Sequence, residues 1–440
     1  MTRTPQLGLN LNVKPAGMNP GAWRLPNVDR SAINTLEEFV RVAHVAEAAG
    51  IDALFFADKL TFARDGRAVA PVFEPLTLLA ALAARTERIG LISTISTTFS
   101  DPFTVARQTA SLDHLSNGRF GWNVVTTAIP AAAANFGSDS LPAHDLRYER
   151  ADEFLRVVKA LWESWGEDAL IVDPASGRFV DADRVRAIDH DGRFFTVAGP
   201  LNSPRPPQGW PVIVQAGSSE SGRSLAAAHA DTIYALADQP DDARAFRLDL
   251  RARAEAAGRR ADDVRLFVGF RVIVAATRAQ AIELDEQLAL TGDPELVFGQ
   301  LALFTTYDLR GAPLDAPLPA LPHPDDVEGY RSHLASLRAF VDRNRPATVG
   351  ELLRQLGGGL GSENRLVGTA ADVADVIQDW FESEALDGVN LGPEVLQGGV
   401  EAIAELLVPE LVRRGLRAPG LGASTLRARY GLPAAGALVP

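Results

Sequence analysis

Two adjacent serines, Ser218 and Ser219, occupy a position at which proteins commonly bind anions. They follow Gly217 and a predicted strand over 212–216, and a predicted helix over 220–229 begins directly after them. The free amides and the positive dipole end at a helix start attract phosphate and similar groups. Serines at a helix start also cap it without any ligand, and the two interpretations are compatible.

His144 and Tyr148 are four residues apart in HDLRYERADEF. At a helix start, that spacing brings both side chains to one face, where they can reach a single ligand together. A lone histidine is more often structural or solvated, so this pair depends on its surroundings. Arg223, one turn beyond the two serines, could add positive charge or face solvent.

A second group of polar residues ends or follows predicted strands. Asn123 interrupts the apolar run of GRFGWNVVTT at 118–127 with an amide that a core strand does not need. Asp58 follows a short buried strand, and Ser96 and Thr97 follow another. Parallel α/β folds place their chemistry at such strand ends. Each residue also has a structural alternative: a satisfied core amide, a carboxylate that caps a turn, or hydroxyls that bond loop amides.

Strands that alternate with helices must position these residues, and this order predicts parallel pairing through right-handed crossovers. Eight strands are the number that closes a TIM (β/α)8 barrel, so we expect an α/β fold of that kind with insertions. The predicted strands are 6–13, 53–57, 89–94, 120–125, 212–216, 232–236, 266–275 and 388–391. After a first helix that begins with the capping box at Thr35 and ends at Gly50, the predicted helices are 75–85, 103–114, 149–164, 220–229, 241–257, 278–290, 371–384 and 401–414.

The chain is longer than such a barrel requires. We expect a single domain over 1–440, with insertions at about 166–210 and 293–345 and a C-terminal tail from about 416. The first insertion contains Asp191-Gly192 between possible hairpin strands, and the second lacks sustained periodicity until a helix near 327–341. Such long loops are usually functional or disordered, and we expect lids over an active site. The GGGLG run at 357–361 is interpreted as a hinge or turn.

Composition excludes several classes of function. The chain of 440 residues has no cysteine, which removes disulfides, thiolate nucleophiles and Cys-ligated metals. Its formal charge of −13 argues against nucleic acid, whose binding needs Lys and Arg. Neither a membrane span nor a secretory signal is evident, so we expect a cytoplasmic protein. The seven histidines show no metal spacing, and no residue is assigned as a catalytic acid or base.

Several motifs occur together in one order and resemble the flavin-dependent monooxygenases of the bacterial luciferase superfamily. The branch most similar in sequence contains the nitrilotriacetate, EDTA and dibenzothiophene-sulfone monooxygenases. The motifs are GAWRLPN, ADKL, STISTTFSDPF, GRFGWNVVTT, HDLRYERADEF, QAGSSESGR, LVGTAADVADVIQDWF, DGVNLGP and VPELVRRG. The pair GRFGWNVVTT and RYERADEF is specific, and the resemblance covers nearly the whole chain.

The resemblance implies a two-component enzyme that uses FMN reduced to FMNH2 by a separate flavin reductase, a transient partner. Reduced FMN would react with O2, and the resulting flavin–oxygen species would oxidise a small organic substrate. The resemblance also implies a homo-oligomer, a dimer or a tetramer. Carried over by position, the residues around the flavin would be Asp58, Ser96, Thr97, Asn123, His144, Tyr148, Ser218 and Ser219.

The substrate side is less constrained. Trp23 and Arg24 follow the first strand, and relatives often carry histidines just before them, where this chain has Met18 and Asn19. Relatives also often have His-Arg where this chain has Asn364 followed by arginine, so Asn364 joins the substrate candidates. Two alternatives remain open: a coenzyme F420-dependent oxidoreductase of the same superfamily, and a non-catalytic flavin-binding barrel.

Overall fold

Eight parallel strands close into a barrel, which confirms the predicted fold class. The computed structural model describes residues 6–62, 66, 69–237, 239–305, 307–323, 326, 331–356 and 364–435, and the predicted hinge at 357–361 lies outside them. In order around the barrel, the strands are β1 (Gly8–Asn12), β2 (Ala53–Phe56), β3 (Gly90–Ser96), β4 (Phe120–Val125), β9 (Val212–Gln215), β10 (Thr232–Ala235), β11 (Arg265–Ala275) and β13 (Gly388–Pro393). The remaining strands are β5 (Leu170–Asp173), β6 (Arg178–Val180), β7 (His190–Asp191), β8 (Thr196–Val197) and β12 (Arg365–Thr369).

Helices follow most barrel strands and cover the outside of the barrel. They are α1 (Leu36–Ala49), α2 (Pro75–Ala83), α3 (Pro102–Leu115), α4 (His144–Glu163), α5 (Glu220–His229), α6 (Pro240–Ala256), α7 (Arg278–Leu290), α8 (Pro294–Thr305), α9 (Arg331–Asn344), α10 (Val349–Gln355), α11 (Ala370–Glu382), α12 (Gly399–Ala402), α13 (Val408–Arg413) and α14 (Leu426–Arg429). A π-helical turn over Ile403–Leu407 joins α12 to α13. No helix within these described ranges is long and apolar enough to cross a bilayer.

The N-terminal end of the barrel is closed by the C-terminal tail. Leu426, Tyr430 and Leu432 pack against an apolar layer of strand residues that includes Phe55 and Phe267. The Tyr430 hydroxyl donates a 2.6 Å hydrogen bond to Asn10 Oδ1 inside the barrel. The tail therefore supplies part of the barrel core and covers this end of the barrel.

Two glycines make room for the ring of Phe267 at this end of the barrel. A Cβ on Gly8 or Gly388 would lie 2.5 Å from the Phe267 ring, so neither position accommodates a side chain. The two glycines face each other on adjacent strands, β1 and β13. The absence of side chains at this level allows one large aromatic ring to fill the narrow end of the barrel.

Several elements differ from the sequence-based expectation, among them α10 and α14, which no predicted helix covers. The second insertion holds α8, which the sequence analysis missed, because a segment as uniformly apolar as PELVFGQLALFT has little amphipathic period. Strand β12 pairs with the outer half of β11, and hairpin β5–β6 precedes the predicted hairpin, which is confirmed as β7–β8. Helix α4 begins at His144 rather than at 149.

The insertion at 293–345 has a hydrophobic cluster of its own. Phe298 and Leu301 of α8 pack with Leu337 of α9 and Leu352 of α10. These residues are separate from the main core, which lies between the barrel and its helices. The insertion is thus a small packed unit attached to the barrel.

Candidate active site

A cavity opens where β9 ends and α5 begins, and we call it the β9–α5 cavity. It brings together four of the predicted site residues, which come from two helix starts on neighbouring elements: His144, Tyr148, Ser218 and Ser219. Val125, Thr126, Thr127, Arg147, Gln215 and Gly217 complete most of its lining. Tyr148 and Ser218 are 70 positions apart in sequence, and the fold of the barrel brings them together.

The start of α5 lies beside this cavity, and amides in the first turn of a helix have no carbonyl partner within the helix. Ser219 is the N-cap residue, and its hydroxyl accepts a 3.2 Å hydrogen bond from the Gly222 amide. A Cβ on Gly217 would lie 2.4 Å from Gln215 Nε2 and 3.4 Å from the Tyr148 hydroxyl. The backbone at Gly217 is therefore closely surrounded by polar groups, as anion cradles at helix starts require.

Gln215 supplies a further polar atom at the same place. Its side chain is buried, and within the described ranges its Oε1 atom has no hydrogen-bond partner. A buried acceptor without a partner is costly, by about 1–3 kcal/mol, and this cost would be relieved by a donor on a ligand. The groups at the start of α5 suit a phosphate, and Gln215 Oε1 can accept a hydrogen bond from a hydroxyl group. FMN carries both a phosphate and hydroxyl groups.

His144 and Tyr148 lie side by side at the start of α4, with ring centroids 4.9 Å apart. His144 Nδ1 is 2.9 Å from Asp145 Oδ1, and Ser221 donates a 3.0 Å hydrogen bond to the same oxygen. The acidic residue thus links the starts of α4 and α5. Arg223 Nε donates to the Ser218 carbonyl at 2.9 Å, and its guanidinium pairs with Asp249 at 3.0 Å, so it supports the start of α5 and does not line the cavity.

Asn123, Ser96 and Thr97 lie on adjacent strands near the C-terminal mouth. Asn123 Nδ2 donates to Thr94 Oγ1 at 2.9 Å, and its Oδ1 atom is buried with no partner in the described part of the chain. Ser96 Oγ is 2.6 Å from Thr127 Oγ1. The Thr97 hydroxyl donates to the Val125 carbonyl at 3.2 Å, so its hydrogen is already used within the protein.

Asp58 lies two residues beyond β2 and is partly buried. Its Oδ1 atom accepts a 2.8 Å hydrogen bond from the Lys59 amide. Burial raises the pKa of Asp58, the Lys59 amide lowers it, and the negative charge of Glu74 raises it further. Asp58 therefore keeps its proton to a higher pH than an ordinary surface aspartate does.

The three substrate candidates are not in one place. Trp23 and Arg24 line a second cavity beside the start of α8, where Arg24 Nη1 donates to the Thr291 carbonyl at 2.7 Å. Asn364 is buried, and its Nδ2 atom donates to the carbonyls of Ala237 and Gly269, the latter at 3.2 Å. Asn364 therefore joins β12 to the barrel with at least one of its amide hydrogens already engaged.

A group of charges surrounds the mouth on the side of β1. Glu394 is fully buried and accepts from Arg271 Nη2 at 2.7 Å and from Arg365 Nε at 2.8 Å. Lys14 and Lys59 are close enough for their charges to interact with each other, and Arg271 and Glu394 also act on Lys14. We call Lys14, Lys59, Arg271 and Glu394 the mouth cluster.

Comparison with known proteins identifies the family to which this geometry belongs. The model of the family described as luciferase-like monooxygenase matches residues 18–387. The chain belongs to the luciferase-like monooxygenase family. The predicted enzyme class, a flavin-dependent monooxygenase, is confirmed.

Individual relatives of this luciferase-like monooxygenase match over almost their full length. The N-acetyl-S-(2-succino)cysteine monooxygenase of Bacillus subtilis (strain 168) is 37% identical over 436 residues, which cover 98% of each chain. Nitrilotriacetate monooxygenase component A of Aminobacter aminovorans is 36% identical over 447 residues, with the same coverage, which confirms the predicted branch. The structure of a riboflavin lyase with modified FMN and substrate riboflavin superimposes with a TM-score of 0.86 at 34% identity, covering 98% of this chain and 96% of the other.

The sequence analysis missed several residues at the site of this luciferase-like monooxygenase. Gln215 was treated as part of a strand, and Lys14 and Arg271 were not singled out. One signal was available for Lys14, because the chain has only three lysines and this one directly follows the first predicted strand. Arg271 lies within an apolar strand, where an arginine is unusual unless it is paired. Glu394 is the partner that the sequence could not identify.

Proposed function

We propose that the chain uses FMNH2 and O2 to oxidise a small organic substrate, with the reduced flavin supplied by a separate flavin reductase. The observation that carries this proposal is the β9–α5 cavity, whose polar lining fits a phosphate-bearing ligand, in a chain of this family. The relatives named nitrilotriacetate monooxygenase component A and N-acetyl-S-(2-succino)cysteine monooxygenase support oxidation of a small molecule.

In this proposal, the start of α5 with Ser218 and Ser219 holds the phosphate, and His144 and Tyr148 close over it from α4. Asn123 and Ser96 form hydrogen bonds with the polar edge of the flavin at the barrel mouth, and Asp58 lies near the same edge. When bound and reduced, the flavin supplies the electrons with which one oxygen atom of O2 enters the substrate and the other becomes water. The insertion at 293–345 acts as a lid that keeps bulk water from the mouth.

The decisive experiment is a substrate screen with purified protein, FMN, a flavin reductase and ¹⁸O2. Aminocarboxylates, sulfones, heteroaromatics and alkanes are supplied separately. We expect one class to acquire a single ¹⁸O atom, and we expect reduced FMN to bind more tightly than oxidised FMN in anaerobic titrations. Hydride transfer with coenzyme F420 in the absence of O2, or tighter binding of NADPH than of either flavin, would contradict the proposal.

Replacing Ser218 and Ser219 together by alanine tests the phosphate site. A hydrogen bond to a charged group contributes about 1.5–3 kcal/mol, so FMN affinity should fall about 10- to 100-fold per lost bond. Riboflavin has no phosphate, so its affinity should stay nearly constant, while the missing cap lowers the stability of α5 by about 1 kcal/mol. Both affinities are measured by fluorescence titration.

A matched control lies on the same helix. Ser224 accepts a 3.2 Å hydrogen bond from Arg253, so Ser224→Ala removes a hydroxyl without touching the cavity. Its FMN affinity should equal that of the unmodified protein. Equal losses for FMN and riboflavin in the double variant would mean that the two serines do not hold the phosphate.

A further inference from the structure

Lys14 is a cation at the C-terminal mouth of the barrel. It lies two residues beyond β1, and the loop from Lys14 to Asn19 is held against the end of β13 by backbone hydrogen bonds. Its side chain is exposed, and among the residues that the structure describes its ammonium has no hydrogen-bond or ion-pair partner. A free ammonium at the entrance of an active site is available to a ligand.

The protein around Lys14 makes this charge costly. Desolvation lowers the pKa of Lys14 to about 8, and the positive charges of Lys59 and Arg271 act in the same direction against the opposing charge of Glu394. The side chain is nevertheless exposed, and Lys59 and Arg271 are the cations that act on it. A negative charge placed beside it would relieve both the desolvation and the repulsion.

The mouth cluster contains no spare negative charge for this purpose. Glu394, its single carboxylate, is shared between Arg271 and Arg365 in a buried arrangement. Arg365 is also paired with Asp285. The Nε atom of Arg271 is buried and has no partner in the described ranges, so an N–H donor is also left over. Within the mouth cluster, three cations accompany one carboxylate, and Asp58 lies beside Lys59 on the same side of the mouth.

The mouth cluster lies across the barrel from the proposed phosphate site. β9, which leads to Ser218 and Ser219, is the fifth strand from β1 in the closed barrel and thus the one opposite to it. The strands that carry or precede Lys59, Arg271 and Glu394 are β2, β11 and β13, all on the side of β1. A ligand group beside Lys14 would therefore be distinct from the phosphate beside Ser218 and Ser219.

We propose that Lys14, assisted by Arg271, binds a carboxylate of the substrate, and that the enzyme oxidises a small organic acid. The proposal rests on the proposed function, because it assigns a substrate class to the same barrel mouth. An ammonium beside a guanidinium binds carboxylate by charge-assisted hydrogen bonds, which are about twice as strong as neutral ones. Neutral sulfones and alkanes would leave Lys14 unpaired.

Lysine NMR gives a test that does not depend on turnover. Protein labelled with ¹³C-lysine and saturated with oxidised FMN has three side chains to follow: Lys14, Lys59 and Lys159. We expect succinate to raise the pKa of Lys14 by about one unit at constant ionic strength, and neutral succinamide to leave it unchanged. Lys159 is a matched control, because burial lowers its pKa to about 8 as well, while its ammonium contacts His229 away from the mouth. Equal pKa values of Lys14 in succinate and succinamide would overturn the proposal.

Kinetics with paired substrates give the second test. For an organic acid oxidised by the enzyme, Lys14→Gln should lower kcat/KM about 10- to 100-fold, mainly through KM, and Lys14→Arg should restore most of it. The primary amide of the same acid should change less than about threefold. Lys59→Gln is the control, because it removes a positive charge from the mouth cluster and leaves Lys14 in place. It should lower kcat/KM for the acid less than Lys14→Gln does.

Three outcomes would overturn the assignment of Lys14. These are oxidation of neutral substrates in preference to acids, equal losses in both lysine variants, and a weaker affinity of Lys14→Gln for reduced FMN, which would make the flavin the ligand. Each of them leaves flavin-dependent oxygenation intact. Failure of the proposed function is distinct, because no substrate would then acquire ¹⁸O, while the NMR titration would still report whether Lys14 binds carboxylate.

Discussion

Replacing Arg427 by methionine is expected to lower the free energy of unfolding by about 3–5 kcal/mol, because it leaves the buried Asp231 carboxylate without its cation. The two nitrogens of Arg427 bind both oxygens of Asp231 at 3.0 and 2.6 Å, and both side chains are more than nine-tenths buried. Asp231 also accepts from the Ile213 amide at the start of β9. The variant would therefore loosen both the packing of the C-terminal tail against the barrel and the start of β9.

Urea unfolding followed by tryptophan fluorescence measures this loss. The double variant Arg427→Met with Asp231→Asn should be more stable than Arg427→Met alone, because the carboxylate that lost Arg427 is then neutral. Arg413→Met removes an exposed arginine paired with Glu410 and should change stability far less. FMN affinity of the folded protein should stay unchanged, since α14 lies at the end of the barrel opposite to the site. Similar losses for Arg413→Met and Arg427→Met would contradict the argument.

The barrel was predictable because its strands are short, apolar and bounded by clear helix signals. The strand at Val212–Gln215 is buried along its whole length and follows a proline-rich loop, which gives a sharp local pattern. The cap at Thr35 is also local, and the structure confirms the hydrogen bond from Glu38 N to its hydroxyl. Features within one turn or one strand are thus recoverable from sequence.

Features that depend on distant pairs were not predictable. The Arg427–Asp231 pair joins residues 196 positions apart, and neither residue lies in a distinctive motif. Helix α8 was missed because its apolar residues pack within the insertion and show no single hydrophobic face. The same distinction applies to the site. His144 and Tyr148 share a helix turn and were proposed together, whereas Lys14, Arg271 and Glu394 meet only when β1, β11 and β13 close the barrel.

The pH dependence of the reaction provides the sharpest test of Lys14. Its ammonium is the form that binds an anion, and that form predominates below the pKa of about 8. As pH rises through this value, the ammonium loses its proton and the attraction disappears. The positive charges of Lys59 and Arg271 oppose protonation of Lys14, and the negative charge of Glu394 favours it.

We therefore expect kcat/KM for an organic acid to be level from about pH 6 to 7.5 and to fall about tenfold per pH unit above about 8. In Lys14→Arg the fall should disappear, because a guanidinium stays charged throughout this range. The primary amide of the same acid should show a level profile with the unmodified enzyme, which separates substrate binding from flavin reduction and oxygen consumption. Stopped-flow mixing of enzyme loaded with reduced FMN against oxygenated substrate measures this step without the reductase. A fall above pH 8 that persists in Lys14→Arg, or that the amide shares, would mean that another group controls the profile.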